Sequence, residues 1–204
     1  MSADSAQSME VAVVGVGRMG RHHARIWKSI PGATLVAVVD ANPTLAQDVA
    51  KTHQCCAHAN VTQLLEHHPH LKAVSVAVPT VHHLAAARPL LKKGVACLVE
   101  KPLAPDVTQA QELVQLAASH QAVLQVGHTE RFNPAVRALV NMQLTPRFME
   151  VHRVSPMTFR SLDVGVVMDM MIHDLDIVLS LVQSPLVRVE AVGVSVLGAH
   201  EDVA

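Results

Sequence analysis

Residues 10–20 read EVAVVGVGRMG, and the reading of this stretch decides the fold. Glu10–Val16 is a Val-rich run with the length and composition of a buried strand. The following MGRHHARIWKSI reads as a helix, stopped by Pro31 and Gly32. At the junction Gly15, Gly17 and Gly20 stand in G-x-G-x-x-G spacing. That spacing alone is a weak signal. It gains weight from the strand before it, the helix after it, and a next strand, ATLVAVVD, that ends in Asp40 about twenty residues past Gly20.

In this context each glycine has a task. Gly15 permits the tight turn, Gly17 lets a pyrophosphate approach the backbone, and Gly20 lets helix and strand pack closely. The pyrophosphate would sit on the helix N-terminus, where free N–H groups and the dipole favour an anion. Asp40 would accept hydrogen bonds from the adenosine ribose and repel a 2′-phosphate, so the expected cofactor is NAD rather than NADP.

Outward from the glycine loop, apolar runs alternate with amphipathic segments. PTLAQDVAKTH reads as a helix with Pro43 near its start, and NVTQLLEHH as a short helix. KAVSVAVP is a strand, VHHLAAARPLLKKG a helix ending at Gly94, and VACLVE a strand. PDVTQAQELVQLAASH is a helix and AVLQVG the closing strand. Such alternation predicts an α/β fold, a doubly wound parallel sheet with right-handed crossovers. Near Gly127 the pattern changes: TERFNPAVRALVNM looks helical, RFMEVHRVS like a strand, and PLVRVEAVGVSVLGAH like a long strand that turns fully apolar. The expected division is a dinucleotide-binding domain over residues 1–126 and the beginning of a second, sheet-based domain over 127–204.

Composition narrows the function. Half of the 204 residues are hydrophobic, while Phe, Trp and Tyr together number only four, so the core must be aliphatic. A formal net charge of −1, with no Lys/Arg block, argues against nucleic acid or an anionic membrane as partner. MSADSAQSME lacks the pattern of a secretion signal and no run is long enough to span a bilayer, so a cytoplasmic location is expected. Cys55, Cys56 and Cys97 read as free thiols. The 14 His include EHHPH and VHHL, but neither matches a ligand spacing, and no metal is expected.

Two further stretches carry chemistry. LVEKPL places Glu100 and Lys101 at the carboxyl end of a predicted parallel strand, where ligands bind in such sheets. Pro102 forces Lys101 out of helical geometry, and the Lys–Pro bond is a candidate for cis. VVMDMMIHDLDIVLSLV, residues 166–182, is apolar in nearly every direction of a helix, as a buried helix is. Yet Asp169, His173 and Asp176 fall in one narrow sector of it, at i, i+4 and i+7. Ionisable groups in such a place are paired, neutral or employed.

The glycine loop, EKP, the Asp169/His173 helix and VAVPTVHHLAAARPLLKKGVACLVEKPLA together resemble the Gfo/Idh/MocA oxidoreductase family over nearly the whole chain. The resemblance implies a Rossmann domain followed by an open-faced α/β substrate and oligomerisation domain. It implies cofactor contacts from Gly15, Gly17, Arg18, Met19, Gly20, Asp40, Pro79, Thr80, His83 and Glu100. It also implies that Lys101, Asp169 and His173 line the site where nicotinamide meets a sugar or polyol. Met171 departs from the pattern, since many members have Gly two residues before the site His. GHTERFNPAV resembles a subgroup acting on nucleotide sugars. The implied substrate is a UDP-linked N-acetylhexosamine oxidised at the ring 3-hydroxyl, with Arg131 on phosphate and His128 and Asn133 as hydrogen-bonding partners.

In this reading His173 is the base for the hydroxyl proton, Asp169 orients it with Asp176 as a second orienter, and Lys101 polarises the developing carbonyl oxygen. Inositol or simple-pyranose dehydrogenation, and a non-catalytic NAD-sensing regulator, are the alternatives. Because the family's second domain continues through several more strands, the chain is expected to be a fragment or an unusually short member. If that domain is complete, a homo-oligomer is expected.

Overall fold

The computed structural model describes residues 8–155, 164–182 and 184–204. The reading of the first seven residues therefore lies outside the described ones. The chain divides into two compact units, Met1–Gly127 and His128–Ala204.

The first unit alternates β1 (Met9–Val14), α1 (Arg18–Ser29), β2 (Ala33–Val39), α2 (Pro43–His53), β3 (Cys56–His58), α3 (Val61–His67) and β4 (Ala73–Val76). It continues with α4 (His83–Lys92), β5 (Ala96–Val99), α5 (Val107–Ser119) and β6 (Leu124–Val126). The six strands form one parallel sheet in the order β3-β2-β1-β4-β5-β6. This is the doubly wound order, whose switch point opens a crevice at the carboxyl ends of β1 and β4. Side-chain alternation along β1 feeds two cores. Val11 and Val13 pack with Ala24, Val49 and Ala50 from α1 and α2, whereas Ala12 and Val14 join Leu64, Leu90 and Leu113 from α3, α4 and α5.

Local chemistry sets the helix starts. Asn42 accepts from the amides of Thr44 and Leu45 with Pro43 in the first turn of α2, and Asn60 and Asp106 cap α3 and α5 through Gln63 and Gln109. The three-residue β3 has no counterpart in the sequence reading, because it is too short to show a period.

In the second unit the described residues hold α6 (Pro134–Asn141), a π-helical turn over Val167–Met171, and α7 (Ile172–Leu181). The single helix expected over TERFNPAVRALVNM is split into a 3-10 turn, Thr129–Phe132, and α6. Asn133 takes an extended ψ of 129°, as the residue before a proline prefers. The strands expected over 147–155 and 185–200 form no ladder; one isolated bridge, Val194 to Val203, is the only pairing among the described residues there. A lone strand has nothing to satisfy its backbone except water. Nor is the 166–182 helix buried, since Leu175 and Leu179 are exposed. Among the described residues no helix is long and apolar enough to cross a membrane.

Candidate active site

The glycine loop follows β1 and opens α1, whose N-cap, Gly17, makes no side-chain capping bond. Gly15 has φ +83°, and a Cβ there would lie 2.7 Å from the backbone of Ala77 and Val78. A Cβ on Gly20 would stand 1.7 Å from the Gly15 carbonyl oxygen. Both positions therefore exclude any side chain. Gly17 differs, because nothing lies within 4 Å of the Cβ it lacks. Asp40, just past β2, accepts from the Val16 amide at 2.9 Å through one oxygen and from the Asn42 amide at 2.9 Å through the other.

A cleft of about 570 Å³ opens over this edge, lined among others by Gly15, Gly17, Asp40, Asn60, Pro79 and His82. Open space above an uncapped helix N-terminus, with a carboxylate beside it, fits a dinucleotide's pyrophosphate and ribose. Arg18 and Met19 are exposed on the first turn of α1. Thr80, His83 and Glu100 are not part of the cleft's lining.

His83, expected to contact the cofactor, lies outside the cleft's lining. Its ring is buried, with Nδ1 at 3.0 Å from the Pro102 carbonyl and 3.2 Å from that of Leu103, and Nε2 at 2.9 Å from the Val78 carbonyl. Both nitrogens face backbone carbonyls, and its neighbour His82 is the histidine that lines the cleft. Glu100 is likewise engaged inside the protein. His23 donates from Nε2 to Glu100 Oε1 at 2.7 Å, and the Lys101 amide approaches Oε2 at 3.3 Å. Burial opposes ionisation of Glu100, but the bond and charge of His23, with the amide and charge of Lys101, hold its carboxyl below the ordinary value. The Lys101–Pro102 bond is cis. His23 and His82 escaped the sequence reading. A signal for His23 existed: it lies beside the inward face of α1 marked by Gly20 and Ala24.

In the second unit, Ile172 donates its amide to the Val167 carbonyl five residues back, which closes the π turn around Asp169. Asp169 itself donates its amide to the Gly165 carbonyl at 3.0 Å, four residues back. Asp176 does lie within electrostatic reach of His173 and is buried. It accepts the Arg131 fork, Nε at 2.7 Å and Nη2 at 2.6 Å, and that pairing keeps its carboxyl below the ordinary value. The planar fork of Arg131, expected on phosphate, grips a carboxylate here. Asn133 caps α6 through the Ala135 amide and donates to Glu130. His128 Nδ1 is buried 3.9 Å from Asp176 Oδ1. Asp174 takes the Arg153 fork at 2.8 and 2.7 Å. Glu201, also unforeseen, accepts the Val166 amide on its carbonyl at 2.8 Å and so ties down the start of the site helix.

Comparison with known proteins agrees with this geometry. Residues 9–128 match the model of the Gfo/Idh/MocA oxidoreductase family, NAD-binding Rossmann fold. The chain belongs to this family. Residues 9–128 are its NAD-binding Rossmann domain. The UDP-N-acetylglucosamine 3-dehydrogenase of Acidithiobacillus ferrooxidans is 39% identical over 96% of the chain, and its crystal structure superposes with a TM-score of 0.87 over 95%. An inositol 2-dehydrogenase of Rhizobium meliloti is 28% identical over 83% of the chain. GenD2 from gentamicin A biosynthesis, solved in complex with NAD, is 25% identical with a TM-score of 0.84 over 100% of the chain. The chain spans 61%, 53% and 62% of the lengths of these three relatives.

Proposed function

We propose that this family member oxidises a secondary hydroxyl of a nucleotide-linked sugar, a UDP-N-acetylhexosamine at its 3-position. The reading is carried by the open space over Gly17 at an uncapped helix N-terminus, with Asp40 in the same cleft. NAD, when bound, supplies the hydride acceptor. Gly15, Gly17 and Gly20 shape its cradle, and Asp40 selects it over NADP. His173 takes the hydroxyl proton, being the side chain whose ordinary pKa, about 6.5, suits proton transfer near neutral pH. Lys101 stabilises charge on the oxygen that becomes a carbonyl, and Asp169 orients His173. Arg131 serves by holding Asp176 near His173, and His128 and Asn133 remain the candidate sugar contacts.

The sugar assignment draws on the relative that is 39% identical. One observation favours a second reading, oxidation of inositol or a simple pyranose: the Arg131 fork is spent on Asp176 and so gives no bidentate grip on a diphosphate. Incubating the protein with NAD and each of UDP-N-acetylglucosamine, free N-acetylglucosamine and myo-inositol separates these readings by NADH absorbance. The proposal expects NADH with the UDP-sugar. NADH with only inositol or the free sugar moves the assignment to the second reading. NADH with none of them favours a regulator that senses NAD without chemistry.

A further inference from the structure

The sheet ladder stops just before Lys101. Glu100 still donates its amide to the Val76 carbonyl at 2.9 Å, and from there side chains take over. On one side of Lys101, the Glu100 carboxylate is held by His23 at 2.7 Å and faces the Lys101 amide at 3.3 Å. A Cβ on Gly127 would stand 3.0 Å from Glu100 Oε2, so the carboxylate has little room on that side. On the other side, the Pro102 and Leu103 carbonyls lie 3.0 and 3.2 Å from His83 Nδ1, where an Nδ1–H can donate to them, and the Val78 carbonyl lies 2.9 Å from Nε2. His23 comes from α1 and His83 from α4, which cover opposite faces of the sheet.

We propose that His23 and His83 are positioning residues that clamp the Lys101 main chain from both sides, so that its ammonium meets the reacting oxygen in one place. The proposal rests on the reading of Lys101 as a catalytic residue. Lysine has a long, flexible stem, so its reach is defined only as well as its backbone is. A displacement of about 1 Å at a reacting group can cost about 10²-fold in rate. Carbonyls facing a buried ring are also costly to leave unpaired, which makes the His83 contact hard to open.

The test uses the full chain with His23→Leu and His23→Gln, because the Gln amide can replace the Nε2–H donor and Leu cannot. His23 is less deeply buried than His83, so its variants are the safer ones to fold. In His23→Leu, amide exchange over Glu100–Leu103 should rise about fivefold or more, and His23→Gln should restore most of the protection. NAD affinity and KM should stay within about threefold in both, while kcat falls about tenfold in His23→Leu and recovers in His23→Gln. Unchanged exchange in His23→Leu, equal defects in both variants, or loss of NAD affinity in step with kcat would overturn the proposal. Undiminished turnover in Lys101→Met would instead sink the underlying reading and the positioning role with it. The exchange result decides the clamp even if no sugar is turned over.

Discussion

Val13 and Val187 are the same side chain in alternating, β-prone sequence, yet one is wholly buried and the other 94% exposed. Val13 lies in β1 between two neighbours, registered opposite Val38 in β2 and Ser75 in β4, with helices over the sheet. Val187 lies in a segment that forms no ladder. The pattern is necessary for a strand, but what makes one is a partner on each side. The same contrast separates the two units. The first closes two aliphatic cores around its sheet, and the buried hydrophobics of the described residues all belong to it. The second rests on paired charges, Arg131 with Asp176 and Arg153 with Asp174.

If the cofactor site belongs to the first unit and the base to the second, chemistry and cofactor binding separate by mutation. Lys101→Met and His173→Ala should each lose about 10²–10⁴ in turnover, the usual worth of one acid–base group, with NAD affinity retained. Weakened NAD binding in His173→Ala would erase the division of labour.

Stability should divide the same way. Leu90→Ala, at a fully buried position of α4, should cost about 2–5 kcal/mol in denaturant unfolding. Leu179→Ala, at a position of α7 that is 64% exposed, should stay within about 0.5 kcal/mol. Equal losses would mean that the second unit has a core of its own.

A smaller effect is expected of Asp176→Asn. Its cost should be about 1 kcal/mol at neutral pH, nearer an exposed ion pair than a buried charged hydrogen bond, because Arg131 is half-exposed. Asp176 has a folded pKa below its ordinary value, so its pairing stabilises above about pH 4 and that stability is lost as pH falls through the folded pKa. The wild-type and Asp176→Asn unfolding curves should therefore converge on acidification. A gap that persists to pH 2 would show that the carboxylate charge is not what matters.

These residues also show how far the sequence could be read. Strand, glycine turn and helix in the first unit follow from local period and from punctuation by Gly, Pro and Asn, so the parallel sheet and its glycine turn were legible. The cis bond at Lys101–Pro102 was anticipated from Pro102 alone. The His23–Glu100 bond joins residues 77 positions apart, and no local pattern announces it. The partners of His83 and Arg131 were illegible for one reason: a polar side chain looks available until the long-range partner it faces is seen. The π turn over Val167–Met171 was not legible, because such a turn inside an apolar helix leaves no compositional mark.

The central claim is that the first unit's cleft is a dinucleotide site read by Asp40. Titrating the chain with NAD and with NADP, followed by the fluorescence of Trp27 in α1, tests it most directly. The account predicts saturable NAD binding, with NADP weaker by about tenfold or more because its added phosphate would face the Asp40 carboxylate. Equal affinity for the two cofactors, or no saturable binding of NAD, would contradict it.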